Sequence, residues 1–192
     1  MNYPLLRYLF GMVLMIVAAF LALPLGVAVI YGESSGIYFL YTMAAAGLLG
    51  FLLTRFKPAR RDMYAREGFV LTALAWVVIS LIGAAPFTLS GQIPSYLDAV
   101  FETVSGFTTT GASILHDVEA LDHCMLFWRS FSHWIGGMGV LVFMLAILPM
   151  AGGQNLHLMR AESPGPTVGK LVPKLRQSAI WLYGIYLGLS IL

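Results

Sequence analysis

The sequence predicts an all-α integral membrane protein, because long apolar stretches alternate with short polar links and charged residues are scarce. Of the 192 residues, 59% are hydrophobic and 10% are charged, whereas a soluble domain carries about 25% charged residues. So few charges cannot cover a water-soluble fold of this size, and the apolar residues must face lipid.

Four full membrane spans are predicted, each long enough to cross a hydrocarbon core of about 30 Å as an α-helix. They cover about residues 8–31, 37–54, 68–89 and 126–150. Pro24 lies within the first span, and membrane helices tolerate proline. The first span is too long for a cleaved signal peptide and lacks a cleavage site, so it is expected to be retained.

Charge placement predicts the orientation of the spans. Ten of the eleven Lys and Arg residues fall at Arg7, in 55–66 and in 160–176, while the links 32–36 and 91–125 hold six of the nine acids. By the positive-inside rule, the basic segments and the N-terminus are cytoplasmic. This alternation requires that 91–125 returns to the side of the membrane from which it starts.

An apolar half-helix is predicted inside the re-entrant segment 94–113. Ser95 and Asp98 form a plausible helix start. One helical face is expected to contain Tyr96, Ala99, Val100, Thr103 and Val104. Gly106 is expected to end this regularity.

Small residues follow the predicted half-helix, namely Thr108, Thr109, Thr110 and Gly111. Glycine lets the backbone turn a carbonyl inward without a side-chain clash. Backbone carbonyls outside a helix need a partner at membrane depth. A permeating cation is such a partner when the carbonyls replace its hydration shell. A re-entrant pore loop is therefore one interpretation, and an ordinary extracellular turn is the alternative that composition leaves open.

The fourth span contains a glycine cluster and an arginine. Gly136, Gly137 and Gly139 are predicted to let a neighbouring helix approach closely, although glycine is frequent in membrane helices in any case. Arg129 lies near the outer end of this span, and a charge at mid-membrane costs about 2.5–3.5 kcal/mol. We therefore expect Arg129 to be a structural charge that reaches the interface or pairs with an acid.

The other polar residues indicate no catalytic, metal or nucleic-acid site. The single cysteine, Cys124, is expected to be a small hydrophobe. The run from His116 to His123 matches no metal-ligand spacing and predicts a solvated rim that attracts cations. No nucleophile–base pair indicates an enzyme, and a net charge of +2 without a basic stripe argues against nucleic acid.

Three classes of function stay open at this point. The first is a pore-forming subunit. The second is a secondary cation transporter, which would favour acids or broken helices at mid-depth, and the four spans contain no Asp or Glu. The third is a truncated, non-transporting membrane fragment or assembly factor.

Five sequence motifs together resemble the Trk/Ktr/HKT potassium-uptake family, in its bacterial TrkH/TrkG type. They are R-E-G-F at 66–69, T-V-S-G-F-T-T-T-G-A-S at 103–113, F-W-R-S-F-S-H-W-I-G-G-M-G at 127–139, I-L-P-M at 147–150 and R-A-E-S-P-G-P at 160–166. The resemblance runs through essentially the whole chain and concerns the N-terminal part of such proteins.

The resemblance implies a fold of helix–pore-loop–helix units preceded by two leading transmembrane helices. Residues 1–55 would be the leading pair and 68–150 the first unit. Cytoplasmic loops would occupy 56–67 and 151–177, and residues 178–192 would be the truncated start of a second unit.

The resemblance also implies the activity and the partners. The chain would be part of a pore-forming subunit for potassium uptake across the inner membrane, with K⁺ as the transported ion and no covalent cofactor. Thr108, Thr109, Thr110 and Gly111 would bind K⁺ as part of a selectivity filter. Partners would be membrane lipid, a second copy in a homodimer, and a cytosolic nucleotide-binding regulatory subunit of the TrkA/KtrA type.

Overall fold

The computed structural model describes residues 2–58, 65–147, 180–181 and 184–190, and its regular secondary structure within these ranges is helical. Five helices follow one another, namely α1 (Tyr3–Tyr31), α2 (Gly36–Thr54), α3 (Ala65–Leu89), α4 (Tyr96–Phe107) and α5 (His123–Ile147). A short helical stretch covers 184–190. The predicted loop 56–67 is described only at its ends, and the predicted loop 151–177 lies outside the described residues.

Among the residues that the structure describes, three helices are long and apolar enough to cross a membrane. They are Tyr3–Tyr31, Gly36–Thr54 and Val70–Leu89. α5 has 25 residues, but its backbone breaks at Gly139 (φ 69°, ψ 142°). The fourth crossing therefore stays a prediction, and residues 148–150 of that span are not among those described.

α1 begins five residues earlier than the apolar pattern predicts, at Tyr3 rather than residue 8. The Asn2 side chain caps the helix by accepting a hydrogen bond from the Leu5 N–H at 3.3 Å. Proline in the first turn also suits this position. At the other end, Gly32 in the left-handed conformation (φ 69°) terminates α1.

α1 and α2 form a hairpin whose backbones touch. A Cβ atom built on Gly11 would lie 2.8 Å from the Gly50 carbonyl oxygen, and one built on Gly50 would lie 2.8 Å from the Gly11 carbonyl oxygen. Near the connecting link, a Cβ on Gly36 would lie 2.6 Å from the Ala28 Cβ. Small residues thus set the separation of the leading pair, a role that the sequence analysis did not assign to them.

Trp128 of α5 joins the leading pair to the helices that follow. Its ring is 1% exposed and makes edge-on contacts with Phe39 of α2, at 6.3 Å between ring centroids, and with Phe107 of α4, at 6.2 Å. Its indole N–H donates to the Gly83 carbonyl of α3 at 2.9 Å. One side chain therefore contacts three helices, and its only polar hydrogen is satisfied.

Glu33, in the link between α1 and α2, caps the start of α5. Its Oε1 accepts from the His123 N–H at 2.7 Å and lies 2.8 Å from His123 Nδ1, while Oε2 accepts from the Cys124 N–H at 2.9 Å. The Tyr31 ring stacks on His123 at 4.1 Å between centroids. The link 32–36 and the start of α5 therefore lie at the same end of the bundle, as the predicted topology requires.

The hydrogen bonds to Glu33 make its carboxyl unusually acidic. Burial by itself raises the pKa of this carboxyl, but the backbone N–H and thiol of Cys124 and the side chain and N–H of His123 outweigh it and lower the pKa from 4.5 to about 2. An ionised carboxylate at a helix N-terminus also complements the helix dipole. The cap is thus charged at any physiological pH.

Glu33→Gln should destabilise the protein by about 1–2 kcal/mol at neutral pH, because the amide carries no charge to cap α5. The pKa of Glu33 is lower in the folded than in the unfolded protein, so its stabilisation is complete above about pH 4.5 and is lost as the pH falls toward about 2. The difference in unfolding temperature between parent and variant, measured in mild detergent, should therefore shrink over that interval.

The matched control is Glu119→Gln, which alters an exposed acid near the same end of the bundle. Its unfolding temperature should follow that of the parent at every pH. A parent-to-Glu33→Gln difference that stays constant down to about pH 3 would contradict an ionised cap.

Candidate functional site

α4 is a half-helix of 12 residues that begins at a polar cap. Ser95 has an extended backbone, and its hydroxyl accepts from the Asp98 N–H at 3.4 Å. Asp98 stands in the first turn, where a negative charge is favourable. The helix continues one residue past Gly106, where the pattern predicted its end, to Phe107. At about 1.5 Å per residue it is too short to span the bilayer.

The buried face of α4 differs from the predicted face. Ala99 and Thr103 are buried, but Tyr96 is 43% exposed and Val104 is 40% exposed. Glu102 is buried instead, with 1% of its surface exposed. The apolar spacing was misleading because α4 buries mainly small residues, together with Phe107 and one charge-paired carboxylate.

Glycines let α4 fit between α3 and α5. A Cβ on Gly106 would lie 2.1 Å from the Ser132 hydroxyl oxygen of α5, and one on Gly136 would lie 2.3 Å from the Phe107 carbonyl oxygen. A Cβ on Gly83 would lie 2.8 Å from a side chain of α4. The C-terminal end of the half-helix therefore rests directly on the backbone of α5.

The three glycines of the predicted packing cluster occupy three different environments. Gly136 carries the backbone contact with α4 just described. A Cβ on Gly137 would lie 2.5 Å from the Tyr186 hydroxyl, at the tip of a side chain from the stretch 184–190. Gly139 has a positive φ and marks the break in α5. Close helix packing therefore concerns Gly136 above all.

Residues 108–111 follow α4 in an exposed, irregular conformation. The N–H groups of Thr108, Thr109 and Thr110 donate to carbonyls in the last turns of α4 at 2.8–3.0 Å. Thr109 (φ 55°) and Gly111 (φ 76°) have left-handed backbone, which glycine adopts freely and threonine adopts with strain. Within the described part of the chain, no hydrogen-bond donor reaches the carbonyl oxygens of residues 108–111.

The threonine hydroxyls of this run bond locally. The Thr108 hydroxyl lies 2.7 Å from the Val104 carbonyl, to which it donates, and 2.8 Å from the Thr110 hydroxyl. Having one proton, Thr108 must accept from Thr110. The polar atoms that remain without a partner in the run are therefore mainly backbone oxygens.

A buried carboxylate holds the segment that follows Gly111. Glu102 Oε2 accepts from the Ile114 N–H at 3.1 Å and from the Ser113 hydroxyl at 3.0 Å, and Oε1 pairs with Nε of Arg129. The Ser105 hydroxyl donates to the Ala112 carbonyl at 2.6 Å. The side chains of α4 thus bind residues 112–114, directly after the exposed run.

Arg129 was expected to reach the interface or to pair with an acid, and in the structure it pairs with Glu102. The carboxylate side chain is 1% exposed and the arginine side chain 18% exposed. Glu102 was not among the candidate residues. The available signal was an acid in the middle of an apolar half-helix, followed by an isolated arginine in the next span, which suggests that each supplies the other's counter-charge.

The residues of the outer acidic run form no metal centre within the described ranges, where no group of three or more His, Cys, Asp or Glu side chains could hold an ion. Asp122 is engaged with Gln92, whose side-chain amide donates to the Asp122 carboxylate and accepts from the Asp122 N–H. His116, Asp117 and Glu119 are exposed. Their predicted role as a cation-attracting rim stays a prediction.

Comparison with known proteins identifies relatives among membrane transporters. Residues 35–192 match the family model described as TrkH, cation transport protein. The Trk system potassium uptake protein TrkH of Salmonella typhimurium is 36% identical over 100% of this chain and 40% of its own length. An uncharacterized cation transporter of Methanocaldococcus jannaschii is 35% identical over 96% of this chain and 39% of its own length.

A solved structure supports the same likeness. The crystal structure of the potassium transporter TrkH from Vibrio parahaemolyticus superposes with a TM-score of 0.76 at 31% sequence identity, covering 100% of this chain and 38% of that chain. The chain therefore spans about two fifths of the length of the relatives that it matches.

Glu102→Gln should destabilise the fold by about 3–5 kcal/mol, because the Arg129 guanidinium would stay buried without a counter-charge. Asp98→Asn, on the same helix, should cost less than about 1 kcal/mol, since it weakens only a dipole interaction. Thermal unfolding in mild detergent measures both effects. Removing both charges, in Glu102→Gln/Arg129→Gln, should recover part of the loss. Equal unfolding temperatures for Glu102→Gln and Asp98→Asn would contradict an anchoring role for Glu102.

Proposed function

Because the chain belongs to the TrkH family of cation transport proteins, we propose that it contributes one helix–pore-loop–helix unit to a subunit for potassium uptake. In this proposal α1 and α2 are the leading pair, and α3, α4 and α5 form the unit. Thr108, Thr109, Thr110 and Gly111 supply backbone oxygens to K⁺. The named relatives from Salmonella and Vibrio are potassium transporters by their descriptions.

One observation carries the proposal: four consecutive carbonyl groups, which no donor of the described residues reaches, follow the C-terminal end of a half-helix. Such groups at membrane depth cost several kcal/mol each when unpaired, so they need an occupant of the cavity that they line. A dehydrated cation is a suitable occupant. The partial negative charge at the end of α4 acts on the same position.

The charges around residues 108–111 suit a filter built from dipoles. The buried acid of α4, Glu102, is already neutralised by Arg129 and faces away from solvent, with 1% exposure. The other acid of α4, Asp98, stands in the first turn, at the end of the helix opposite residues 108–111. Discrimination between K⁺ and Na⁺ would depend on the number and geometry of the carbonyl oxygens.

A single unit surrounds an ion on one side only. Filters of this kind are formed by four loops around an axis, so the proposal requires further units from a longer chain or from other copies. The share of the relatives' length that this chain covers, 40%, agrees with that requirement. The exposed run 108–111 would then face the pore axis.

The proposed orientation follows from the basic segments, and the proposed partners follow from the family resemblance. We place the N-terminus, Arg7 and the segment after α2 in the cytoplasm, and the chain in the inner membrane. The contact of Glu33 with His123 supports this arrangement, because it brings both acidic links to one end of the bundle. A homodimer and a cytosolic nucleotide-binding regulatory subunit of the TrkA/KtrA type complete the proposal.

A secondary transporter is the less favoured function. Such a carrier would use an intramembrane acid that exchanges protons or ions. Glu102 is the buried acid of α4, but Arg129, Ser113 and Ile114 already satisfy its oxygens. A carboxylate with this set of partners is better suited to holding a loop than to releasing a proton.

Gly111→Ser, in the full-length gene product, should lower the preference for K⁺ over Na⁺ by about tenfold or more, because it changes the carbonyl geometry at the ion. Gly91→Ser is a close control: both glycines have φ 76° and no atoms within 4 Å of a built Cβ, so the backbone strain is matched. Growth of a strain lacking potassium uptake, on limiting potassium with added sodium, measures the preference. Equal growth of the two variants would contradict the assignment of residues 108–111 to the filter.

A further inference from the structure

An apolar groove opens at the end of the bundle opposite Glu33. It has a volume of about 510 Å³ and lies between α1, α2 and α3, within the range of about 300–1,000 Å³ typical of small-molecule sites. Its lining includes Tyr3, Leu6, Phe10, Leu53, Val70 and Leu74. Apart from Arg7, the side chains that line the groove carry no charge, so the groove suits a hydrocarbon chain.

The groove adjoins the tightest contact of the leading pair and is open to its surroundings. Leu53 is on the seam of that contact, since a Cβ on Gly11 would lie 2.8 Å from the Leu53 Cβ. On the outer side, Leu74 is 51% exposed and Tyr3 is 67% exposed. A molecule could therefore enter sideways from the membrane without passing through the protein.

One basic residue lines the groove, and two more flank in sequence the aromatic ring that it contacts. Arg7 lines the groove, and its guanidinium carbon lies 5.5 Å from the centroid of the Phe56 ring. Arg55 and Lys57 flank Phe56 in sequence, and all three basic side chains are exposed. Among the side chains that the structure describes, neither ion pair involves any of them.

We propose that this groove binds one anionic glycerophospholipid, with an acyl chain along the apolar lining and the phosphate group at Arg7, Arg55 and Lys57. A zwitterionic lipid would fill the lining but leave the three cations without a net counter-charge. A water-soluble phosphate would leave the lining empty. Anionic lipids are concentrated in the cytoplasmic leaflet. Each basic residue next to that leaflet raises the affinity for an anionic lipid by about fivefold.

The proposal depends on the orientation given above and is independent of the filter assignment. Arg7 precedes Gly11 by about one helical turn, which places it beside the end of α2 and at the predicted cytoplasmic surface. The depth of the groove then corresponds to the inner leaflet. Variants at Gly111 should bind the lipid as the parent does, so the two proposals fail separately.

The test uses the full-length gene product in phosphatidylcholine vesicles that contain a trace of phosphatidylglycerol with a photoreactive acyl chain. Cross-links should map to peptides that carry groove residues, and unlabelled phosphatidylglycerol should compete while phosphatidylcholine does not. Replacing Arg7, Arg55 and Lys57 together by Gln should reduce the labelling by about tenfold or more.

Two tryptophan variants separate the groove from the general lipid surface. Leu53→Trp fills the groove and should abolish the labelling, whereas Leu49→Trp, at a 53% exposed position one turn away on α2, should not change it. Thermal unfolding of each variant checks that it is folded. Three results would each overturn the proposal. The first is equal labelling by photoreactive phosphatidylcholine, and the second is labelling that the triple variant or Leu53→Trp leaves unchanged. The third is no labelling of the groove because another segment of the chain fills it.

Discussion

The geometry of the loop after the half-helix depends on the buried pair of Glu102 and Arg129. Each charge costs several kcal/mol to remove from water, and only a full set of partners offsets this. Glu102 obtains that set from Arg129 and from two groups of the loop itself, Ser113 and Ile114. If the loop moved so that Ser113 or Ile114 no longer reached Glu102, the buried carboxylate would lose a hydrogen-bond donor. The pair therefore holds an otherwise irregular segment in one position.

Close backbone contacts make this pairing possible. Arg129 belongs to α5 and Glu102 to α4, so the two helices must lie almost in contact for the side chains to meet. Gly106 and Gly136 allow that approach, and Trp128 fixes α5 against α2, α3 and α4. The carbonyl-rich end of the half-helix is then directed at the exposed run, where the proposed filter would use its dipole.

The sequence predicted features that depend on local pattern. Hydropathy located three of the four predicted spans. Ser95 identified the start of α4, because the cap bonds only to the first turn of its own helix. The isolated Arg129 indicated either a position at the interface or pairing with an acid. The pattern did not identify that acid, because the helical face predicted for α4 did not include Glu102. The pattern did not predict the packing role of Gly11 and Gly50, because that role depends on residues of another helix. The early start of α1 was not predicted for a different reason: its cap, Asn2, lies outside the apolar stretch.

In the proposed filter, the backbone oxygens of residues 108–111 coordinate the transported ion. Anomalous X-ray diffraction from crystals of the full-length gene product soaked in Rb⁺ or Tl⁺, which substitute for K⁺, tests it most directly. We expect a peak within direct coordination distance of these four carbonyl oxygens, and loss of that peak when the soak contains excess K⁺. A peak instead at the exposed acids Asp117 and Glu119, with none beside residues 108–111 in a transporting protein, would contradict it.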